Sequence, residues 1–590
     1  MNAPAVGDRL QVDGVVHEVI ALGRLTDQSV EAVVTGPSGN PEMKRLELND
    51  YFRLKLSEGS GDGDSKRALA SLWGHWMTYA IPRIRSAVRA TRPLTPYPHQ
   101  DDAVWTHMLR QPRLRFLLAD EPGTGKTIMT GMYIAEGRRR ALIPHNVVIV
   151  VPAHLVAKWI RDLDRFFGIQ AEQITDEMGR SPLPLRRDVD TWVVSVDLYT
   201  RNDGVRAKVL GTDATWSLAV FDEAHRLTPT SQYLSAARQL SLKSHHLLLL
   251  TATPHRGKEH LFQGLLNLLD EAAFPWSEDE RDYPRRRRPG AQHFLRRMKE
   301  ELRDFDGSPL FPPREARTET VHLTGAELDT YNSVMAYVDE WYPDRSSLAR
   351  SVYGKRAASS LVAAHATLSR RLEALQSGRY PEFVHADPFA ADADVDDPHS
   401  WDEAESAVVG VRSKDRKAEI AAVEELLRQV QTTIDTVKSP AKWQRVGDIL
   451  EYHELETSNV DDQLLVFTEY TDTARWLLEQ FSDRGFSCEL LSGESDHKSR
   501  DELQRRFLAR DFQVLVSTDA GGEGIDLQSA HVMINWDIPW SLVRLEQRMG
   551  RLHRIGQTQT VTCHQLVSPA TREGRVQEVM LGTLKRRPKR

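Results

Sequence analysis

Short apolar runs alternate with amphipathic stretches over two parts of the chain, residues 91–275 and 438–590. In the first part, Arg115–Ala119, Asn146–Val151, Thr191–Val196, Leu218–Phe221 and His246–Thr251 are strand-like apolar segments separated by helical patterns. Strands buried on both faces read this way, and helices between them imply a parallel sheet covered on both sides. In the second part Gln463–Thr468, Phe512–Ser517 and His531–Asn535 repeat the pattern. Two parallel α/β domains are therefore expected. Between them, residues 276–437 change character: helical periodicity runs over Glu327–Tyr342, Ser359–Gln376 and Ser413–Val437, interrupted by the acidic, proline-containing stretch Ala386–Pro398, which reads as a loop. This region is expected to be a helical insertion. Residues 1–65 alternate with period two at Arg9–Ile20, Ser29–Val34 and Lys44–Leu48, which predicts a small β-rich module that closes in the flexible linker Glu58–Ser65. Residues 66–90, with Trp73 and Trp76, read as a helical linker.

Composition adds limits. At 590 residues the chain is too long for one hydrophobic core. The net charge of −7 argues against a uniformly basic nucleic-acid binder but not against local basic grooves. Arg285–Arg288, Arg296/Arg297 and Lys355/Arg356 are such local spots, each readable as a solvated face or as a phosphate contact, and a basic tail, Lys585–Arg590, ends the chain. Two cysteines, Cys488 and Cys563, can build neither a zinc cluster nor a disulfide framework. A reducing compartment and no structural zinc are expected. The N-terminus lacks the charged start and apolar core of a signal peptide, and no apolar run is long enough to span a bilayer. A cytoplasmic protein without membrane contact is the expectation.

The chemistry centres on Ala119-Asp-Glu-Pro-Gly-Thr-Gly-Lys-Thr127, between an apolar run and a helical pattern. Gly123 and Gly125 allow the backbone to curl so that its N–H groups point inward at a phosphate. The following helix N-terminus adds a favourable dipole potential for the same anion. Lys126 would reach the β- and γ-phosphates, and the Thr127 hydroxyl would hold Mg²⁺. A strict phosphate-loop motif has glycine where Asp120 stands, so an ordinary strand–helix turn competes with this reading. Val220-Phe-Asp-Glu-Ala-His225 weighs against that turn, because it ends another apolar strand with two adjacent carboxylates. Asp222 suits Mg²⁺, and Glu223 can orient or deprotonate an attacking water. His225 is expected to contact the facing domain or the Thr251-Ala-Thr253 turn. Thr251 and Thr253 could link the nucleotide state to a polymer groove by hydrogen bonding.

Taken together, these motifs resemble the superfamily-two helicase-like ATPases and, within them, the SWI/SNF-type nucleic-acid translocases. Tyr97-Pro-His-Gln100 is similar to the adenine-reading motif of that family. Val148–Trp159, which contains Pro152, and Ser195–Tyr199 are similar to its strand-tracking motifs. Val466–Tyr470 and Ser517–Leu527 resemble the motifs that face the groove and the cleft, and Leu545–Gln557 resembles the arginine motif. The resemblance covers about residues 91–275 and 438–580. It implies two RecA-like domains and the use of ATP with Mg²⁺. It implies a nucleotide-binding set of Gln100, Asp120, Glu121, Gly123, Thr124, Gly125, Lys126, Thr127, Gly524 and Asp526, in which Asp120 is the residue usual in the family. It further implies coupling or nucleic-acid roles for Pro152, Ser195, Thr468, Ser517, Thr518 and Gln547 beside His225, Thr251 and Thr253. Ala119-Asp-Glu, Gly131-Met and Leu545-Glu-Gln-Arg resemble bacterial members, among them RapA-like RNA-polymerase-associated remodelers and helicase-like proteins of DISARM-type phage-defence islands. Asp304–Arg314 resembles the latter.

Arg551 and Arg554 are three residues apart on a predicted helix, hence on one face. They can stabilise charge on a γ-phosphate held at Lys126 only when the domains close. Hydrolysis removes the group that both sides grip, so closure is coupled to the nucleotide state. The expected function is ATP-dependent translocation on duplex DNA that remodels or displaces protein–DNA complexes, with RNA polymerase or phage-defence components as candidate protein partners. The alternatives are a strand-separating helicase on DNA or RNA, for which no wedge hairpin is identified, and a non-catalytic scaffold. Intact Lys126, Asp222, Glu223, Arg551 and Arg554 weigh against the scaffold.

Overall fold

The computed structural model describes most of residues 4–47 and 94–574, leaving out short breaks in the N-terminal part and 212–214, 229–230, 255–258, 277–289, 291, 343–345, 379–397, 494, 496, 523–524 and 540. The linker Glu58–Ser65, the helical segment with Trp73 and Trp76, Arg285–Arg288, nearly all of Ala386–Pro398, Gly524 and the basic tail therefore lie outside the described residues.

Three sheets organise the chain. The N-terminal strands Arg9–Val12, Val15–Leu25, Ser29–Thr35 and Pro41–Glu47 form an antiparallel meander. Leu10, Val19, Val30, Ala32, Val34 and Leu46 form its core. The single alternating run expected over Arg9–Ile20 is broken into two strands that pair with each other.

The first parallel sheet has the spatial order Phe294–Leu295, Arg115–Leu118, Ser244–Leu250, Trp216–Phe221, Val147–Val151, Thr191–Ser195, Glu172–Gln173. Successive residues go to opposite faces, and both faces are apolar. Leu117, Val148, Val150, Leu247 and Leu249 pack on one side, whereas Phe116, Leu118, Ile149 and Leu248 pack on the other. That double burial is why these strands read as continuous apolar runs. The second parallel sheet runs Arg314–Thr320, Val561–Val567, Val532–Asn535, Leu464–Thr468, Val514–Thr518, Cys488–Leu491. The two sheets with their covering helices are RecA-like parallel α/β folds.

Residues 276–437 are more than a helical insertion. Phe294–Leu295 joins the edge of the first sheet beside Arg115–Leu118, and Arg314–Thr320 joins the edge of the second, in parallel register with Val561–Val567 throughout. The first addition is only two residues long, and the second, Arg-Glu-Ala-Arg-Thr-Glu-Thr, carries no apolar run, so neither left a hydrophobic signature. Helices Gly325–Trp341, Leu361–Ser377 and Arg416–Thr436 match the periodic segments, and Ser346–Ser359 and Pro398–Val409 add to them. Lys355/Arg356 is neither a solvated face nor a phosphate contact. Both side chains are buried in ion pairs, Lys355 with Glu469 at 3.0 Å and Arg356 with Glu405 at 2.6 Å and Asp472 at 3.2 Å. The pairs with Glu469 and Asp472 fasten the helical part to the second sheet's domain, and the pair with Glu405 joins two of its own helices.

Asp120–Lys126, Asp222, Pro152 and Thr251 all follow the carboxyl ends of first-sheet strands, where open parallel sheets place ligand sites. The helix after the loop, Lys126–Arg139, is set by close packing on Val156–Phe167. A Cβ on Gly131 would stand 2.2 Å from Phe167 Cε2. Gly131→Leu is expected to destabilise the protein by about 1–3 kcal/mol through overpacking. A denaturant titration measures this, and a midpoint equal to wild type would contradict the packing role.

Candidate nucleotide cleft between the two sheets

The loop backbone is built on two left-handed glycines, Gly123 at φ +83° and Gly125 at φ +89°. A Cβ on Gly125 would lie 2.3 Å from Gln100 Nε2. Only glycine permits that approach, and Gln100 uses it: its Nε2 donates to the Thr124 carbonyl at 3.1 Å while its Oε1 accepts from the Tyr97 amide at 3.1 Å. The Tyr97–Gln100 segment is thereby fixed to the side of the loop. Lys126 Nζ donates to the loop carbonyls of Asp120 at 2.8 Å and Glu121 at 3.3 Å. Burial draws the Lys126 ammonium below its ordinary range, opposed by Glu223, Asp120 and Asp222.

Across the sheet, Asp222 has both oxygens engaged: Oδ2 accepts from the Trp159 indole at 2.9 Å, and Oδ1 accepts from the Glu223 amide at 2.9 Å. Burial, and next the neighbouring Glu223 charge, raise the Asp222 carboxyl above the usual carboxylate range. Burial pushes Glu223 in the same direction, but His225, Lys126 and Arg551 outweigh it and hold Glu223 ionised. Two adjacent carboxyls are thus driven apart in proton affinity, the separation expected where one must act as a base. Glu223 also adopts a left-handed backbone, φ +48° and ψ +45°, a conformation uncommon for a non-glycine residue and frequent at functional sites. His225 Nδ1 lies 3.1 Å from Thr251 Oγ1, which in turn accepts from the Thr253 amide at 3.2 Å. The expected link from His225 to the Thr251–Thr253 turn is present.

The second sheet's domain closes over the loop. Gly550 meets Pro122, where an added Cβ would stand 2.8 Å from Pro122 Cβ, and Gly123 meets Arg554, where the corresponding distance is 3.0 Å to Cγ. Arg554 is ion-paired with Asp526, whose Oδ1 also accepts from Lys158 Nζ of the first domain at 3.2 Å. Desolvation would raise the Asp526 carboxyl, but Arg554 and Lys158 pull it below its ordinary value. Gln100, Lys126, Thr127, Glu223, Arg551 and Arg554 line one continuous cavity of about 1480 Å³, to which Asp222, Asp526, Pro152 and Gln547 also contribute. Among the described residues no group of three metal-ligating side chains of the His, Cys, Asp and Glu types occurs, and no helix is long and apolar enough to cross a membrane.

Comparison with known proteins bears on this geometry. The SNF2-related domain matches residues 99–370, and the Helicase conserved C-terminal domain matches residues 441–556. The chain belongs to the SWI/SNF-type helicase-like ATPases of superfamily two. It is 26% identical over 532 residues to the uncharacterized ATP-dependent helicase YqhH of Bacillus subtilis, covering 86% of this chain and 84% of that protein. It is 25% identical to mouse SWI/SNF-related matrix-associated actin-dependent regulator of chromatin subfamily A member 1, covering 80% of this chain and 41% of the relative. It is 28% identical to the RNA polymerase-associated protein RapA of Pseudomonas aeruginosa, covering 76% of this chain and 44% of RapA. The chain therefore spans less than half the length of these last two relatives.

In this SWI/SNF-type ATPase several residues marked from the sequence have other placements. Asp120 and Glu121 turn their side chains away from the cavity. Arg297 grips Asp120 through its amide at 2.9 Å, Nε at 3.2 Å and a guanidinium nitrogen at 2.5 Å. Glu121 accepts from the Lys299 amide at 2.8 Å and faces Arg314 at 3.4 Å. The Arg296/Arg297 spot is thus not a solvated face or phosphate contact at Arg297, because a buried carboxylate claims its charge. Arg551 and Arg554 do not share a helix face: the helix is Leu542–Leu552, its cap residue His553 leaves helical geometry at ψ +77°, and Arg554 follows on the turn. Ser195 caps the helix Val196–Arg201, accepting from the Leu198 amide at 3.2 Å. Thr468 and Ser517 are fully buried, and Thr518 nearly so. Thr468 donates to Asp537 at 2.5 Å, Ser517 to the Thr518 carbonyl at 3.0 Å, and the Thr518 hydroxyl accepts from the Gly521 amide at 3.2 Å. These three stand behind the cavity rather than in it.

Lys299 was not marked from the sequence, Arg297 was read only as part of a basic spot, and Lys158, Trp159 and Arg314 fell inside quoted motifs without individual roles. The available signal was the adjacent pair Asp120-Glu121, since a buried carboxylate demands a cation from somewhere. Asp120→Ala removes the fully buried carboxylate and leaves the Arg297 guanidinium with the more exposed Asp102 at 3.3 Å, and is expected to cost about 1–3 kcal/mol. Chemical denaturation measures the loss, and a wild-type stability would refute the pairing.

Proposed function

We propose that this chain is an ATP-dependent translocase on duplex DNA that remodels or displaces protein–DNA complexes. The observation that carries the reading is the convergence of Lys126, Asp222 and Glu223 from one domain with Arg551 and Arg554 from the other on a single cavity. Phosphoryl transfer requires little covalent help but strong positioning and charge stabilisation, and this arrangement supplies both. The backbone N–H groups of Gly123–Thr127 and the helix dipole hold phosphate oxygens. Lys126 moves from the loop carbonyls to the transferred phosphate. The Asp222 carboxylate and the Thr127 hydroxyl are hard oxygen donors on the cavity wall, and they fit Mg²⁺. Bound there, the ion neutralises charge on the phosphates. Glu223, held ionised, accepts hydrogen bonding from the attacking water, and Arg551 and Arg554 stabilise charge developing on the far side.

We assign residues 91–275 and 438–590 as the two motor units, with 276–437 as the region between them and 1–65 as an accessory module. Pro152 and Gln547, at the cavity's margins, are assigned to coupling between nucleotide and nucleic acid. Duplex DNA is favoured because the relatives include a regulator of chromatin and an RNA polymerase-associated protein, whose names point to work on protein–DNA assemblies. Tracking through phosphate contacts makes binding insensitive to sequence and sensitive to salt.

The decisive assay compares ATP hydrolysis with duplex DNA, single-stranded DNA and RNA, alongside triplex displacement and fork unwinding. Duplex-selective stimulation with triplex displacement and no fork unwinding is expected. Efficient unwinding would replace translocation by strand separation, and no hydrolysis with any polymer would leave a binding scaffold. Within the same assay Glu223→Gln should retain nucleotide binding while turnover falls by roughly 10²-fold or more. Normal turnover in that variant would remove Glu223 from the role of base.

A further inference from the structure

We propose that Lys299 is a positioning residue for the arginine side of the cleft, tying the shoulder of the phosphate loop to the turn that carries Arg554. The inference rests on the ATPase reading above and concerns a residue to which none of the sequence motifs assigns a role.

The chain between the two sheets is fastened at both ends. Leu295 is the last residue of the strand laid against Arg115–Leu118, and Arg314 is the first of the strand laid against Val561–Val567. From this stretch, the Arg297 and Arg314 side chains and the Lys299 backbone amide reach the two carboxylates that precede the loop. Arg297 takes Asp120 and also donates to the His99 carbonyl at 2.7 Å, next to the Gln100 that flanks the loop. Glu121 accepts from the Lys299 backbone amide and faces the Arg314 guanidinium. With Glu121 held by the backbone amide, the Lys299 ammonium donates to the carbonyl of His553, the residue immediately before Arg554. The His553 ring is held from the same segment, with Nε2 2.8 Å from the Pro312 carbonyl and its ring 5.4 Å from that of Phe311.

This contact is costly enough to require a reason. Lys299 is 2% exposed, and an ammonium loses most of its hydration there. Desolvation lowers its pKa to about 7, with Glu121 opposing and Arg314, Arg554 and Lys126 assisting the fall. The Phe311 face, 5.3 Å from Nζ, offsets part of the cost. A leucine or methionine would fill the same space without that cost. What only the ammonium provides is a hydrogen bond across the domain boundary to a peptide carbonyl at the end of a helix. Carbonyls there lack an intrahelical partner, so the backbone of the turn can be gripped directly. The position of Arg554, whose Cγ lies against Gly123, then follows the linker as well as the phosphates.

The test is Lys299→Met, which preserves length and apolar volume while deleting the donor. Replacing a buried charge with an apolar isostere tends to leave stability unchanged or higher. A purely structural role for the ammonium would instead lower the melting midpoint and leave the chemistry unaltered. The expected result is the reverse: a melting midpoint at or above wild type, the KM for ATP within about twofold, and kcat lower by roughly tenfold. In an Arg554→Ala background the same substitution should cause no further loss, because both act through one group. Wild-type kcat in Lys299→Met, or losses that add in the double variant, would overturn the proposal. A readout independent of turnover is amide hydrogen exchange across Arg551–Gln557, expected to accelerate in Lys299→Met. Unchanged exchange would also overturn the proposal. Absence of ATP hydrolysis in the wild-type protein would instead strike the ATPase reading, and the exchange measurement would still decide the role of Lys299.

Discussion

Asp120 and Glu121 are buried side by side immediately before a loop built to attract an anion, and neither can remain charged there without a cation. The cations that solve this problem lie far along the chain, in Arg297 and Arg314, and the Lys299 backbone amide adds a hydrogen bond to Glu121. To deliver them, the polypeptide leaving the first domain must return to the edge of its sheet beside Arg115–Leu118 before crossing to the second. Electrostatic compensation at the loop shoulder therefore dictates the path of the linker. Because the linker next becomes the edge strand of the other sheet, it also limits how far apart the two domains can lie. The glycine loop is thus held from the rear, and its phosphate face is left to the cavity.

The cavity wall carries more cationic than carboxylate side chains. Lys126, Lys158, Arg551 and Arg554 face Asp222, Glu223 and Asp526, and several of these partners are provisional in chemical terms. Lys126 rests on loop carbonyls, and Arg554 shares Asp526 with Lys158. A polyphosphate entering such a site competes for cations that already have weaker or shared acceptors, so binding rearranges contacts rather than creating a new charge cluster. Trp159 joins this site to the expected tracking segment: its helix, Val156–Phe167, begins just beyond Pro152–Leu155, and its indole holds Asp222. A displacement of that helix is felt at once by the acidic pair.

The parts of the fold that were legible in the sequence are those whose burial is two-sided or whose periodicity is long. Val147–Val151, the Leu247–Leu250 part of Ser244–Leu250, and Leu464–Thr468 are covered on both faces and read as apolar runs. Glu172–Gln173, Phe294–Leu295 and Arg314–Thr320 are edge strands, held by backbone hydrogen bonds to one neighbour, and hydrogen bonding leaves no mark on residue type. The helix-face argument for Arg551 and Arg554 failed for a related reason. A spacing of three implies a shared face only while the helix continues, and this one ends at Leu552, where the linker engages both the backbone and the ring of His553. Lys355, Arg356 and Arg297 illustrate the same limit, since a basic pair in a sequence looks alike whether water, phosphate or a distant carboxylate receives it.

The sequence by itself determined the two parallel sheets, the glycine loop and its acidic counterpart, because each is encoded by residues adjacent in the chain and by local stereochemistry. Left-handed glycines, an apolar strand and a pair of carboxylates at its end need no distant partner to be recognised. Only the tertiary structure decided which carboxylates face the cavity and which are consumed by the linker, where the arginine helix stops, and how Lys158 and Lys299 cross the boundary between domains. Those outcomes depend on which charges meet after burial. Partners separated by hundreds of residues are chosen by desolvation and geometry together, which no local pattern records.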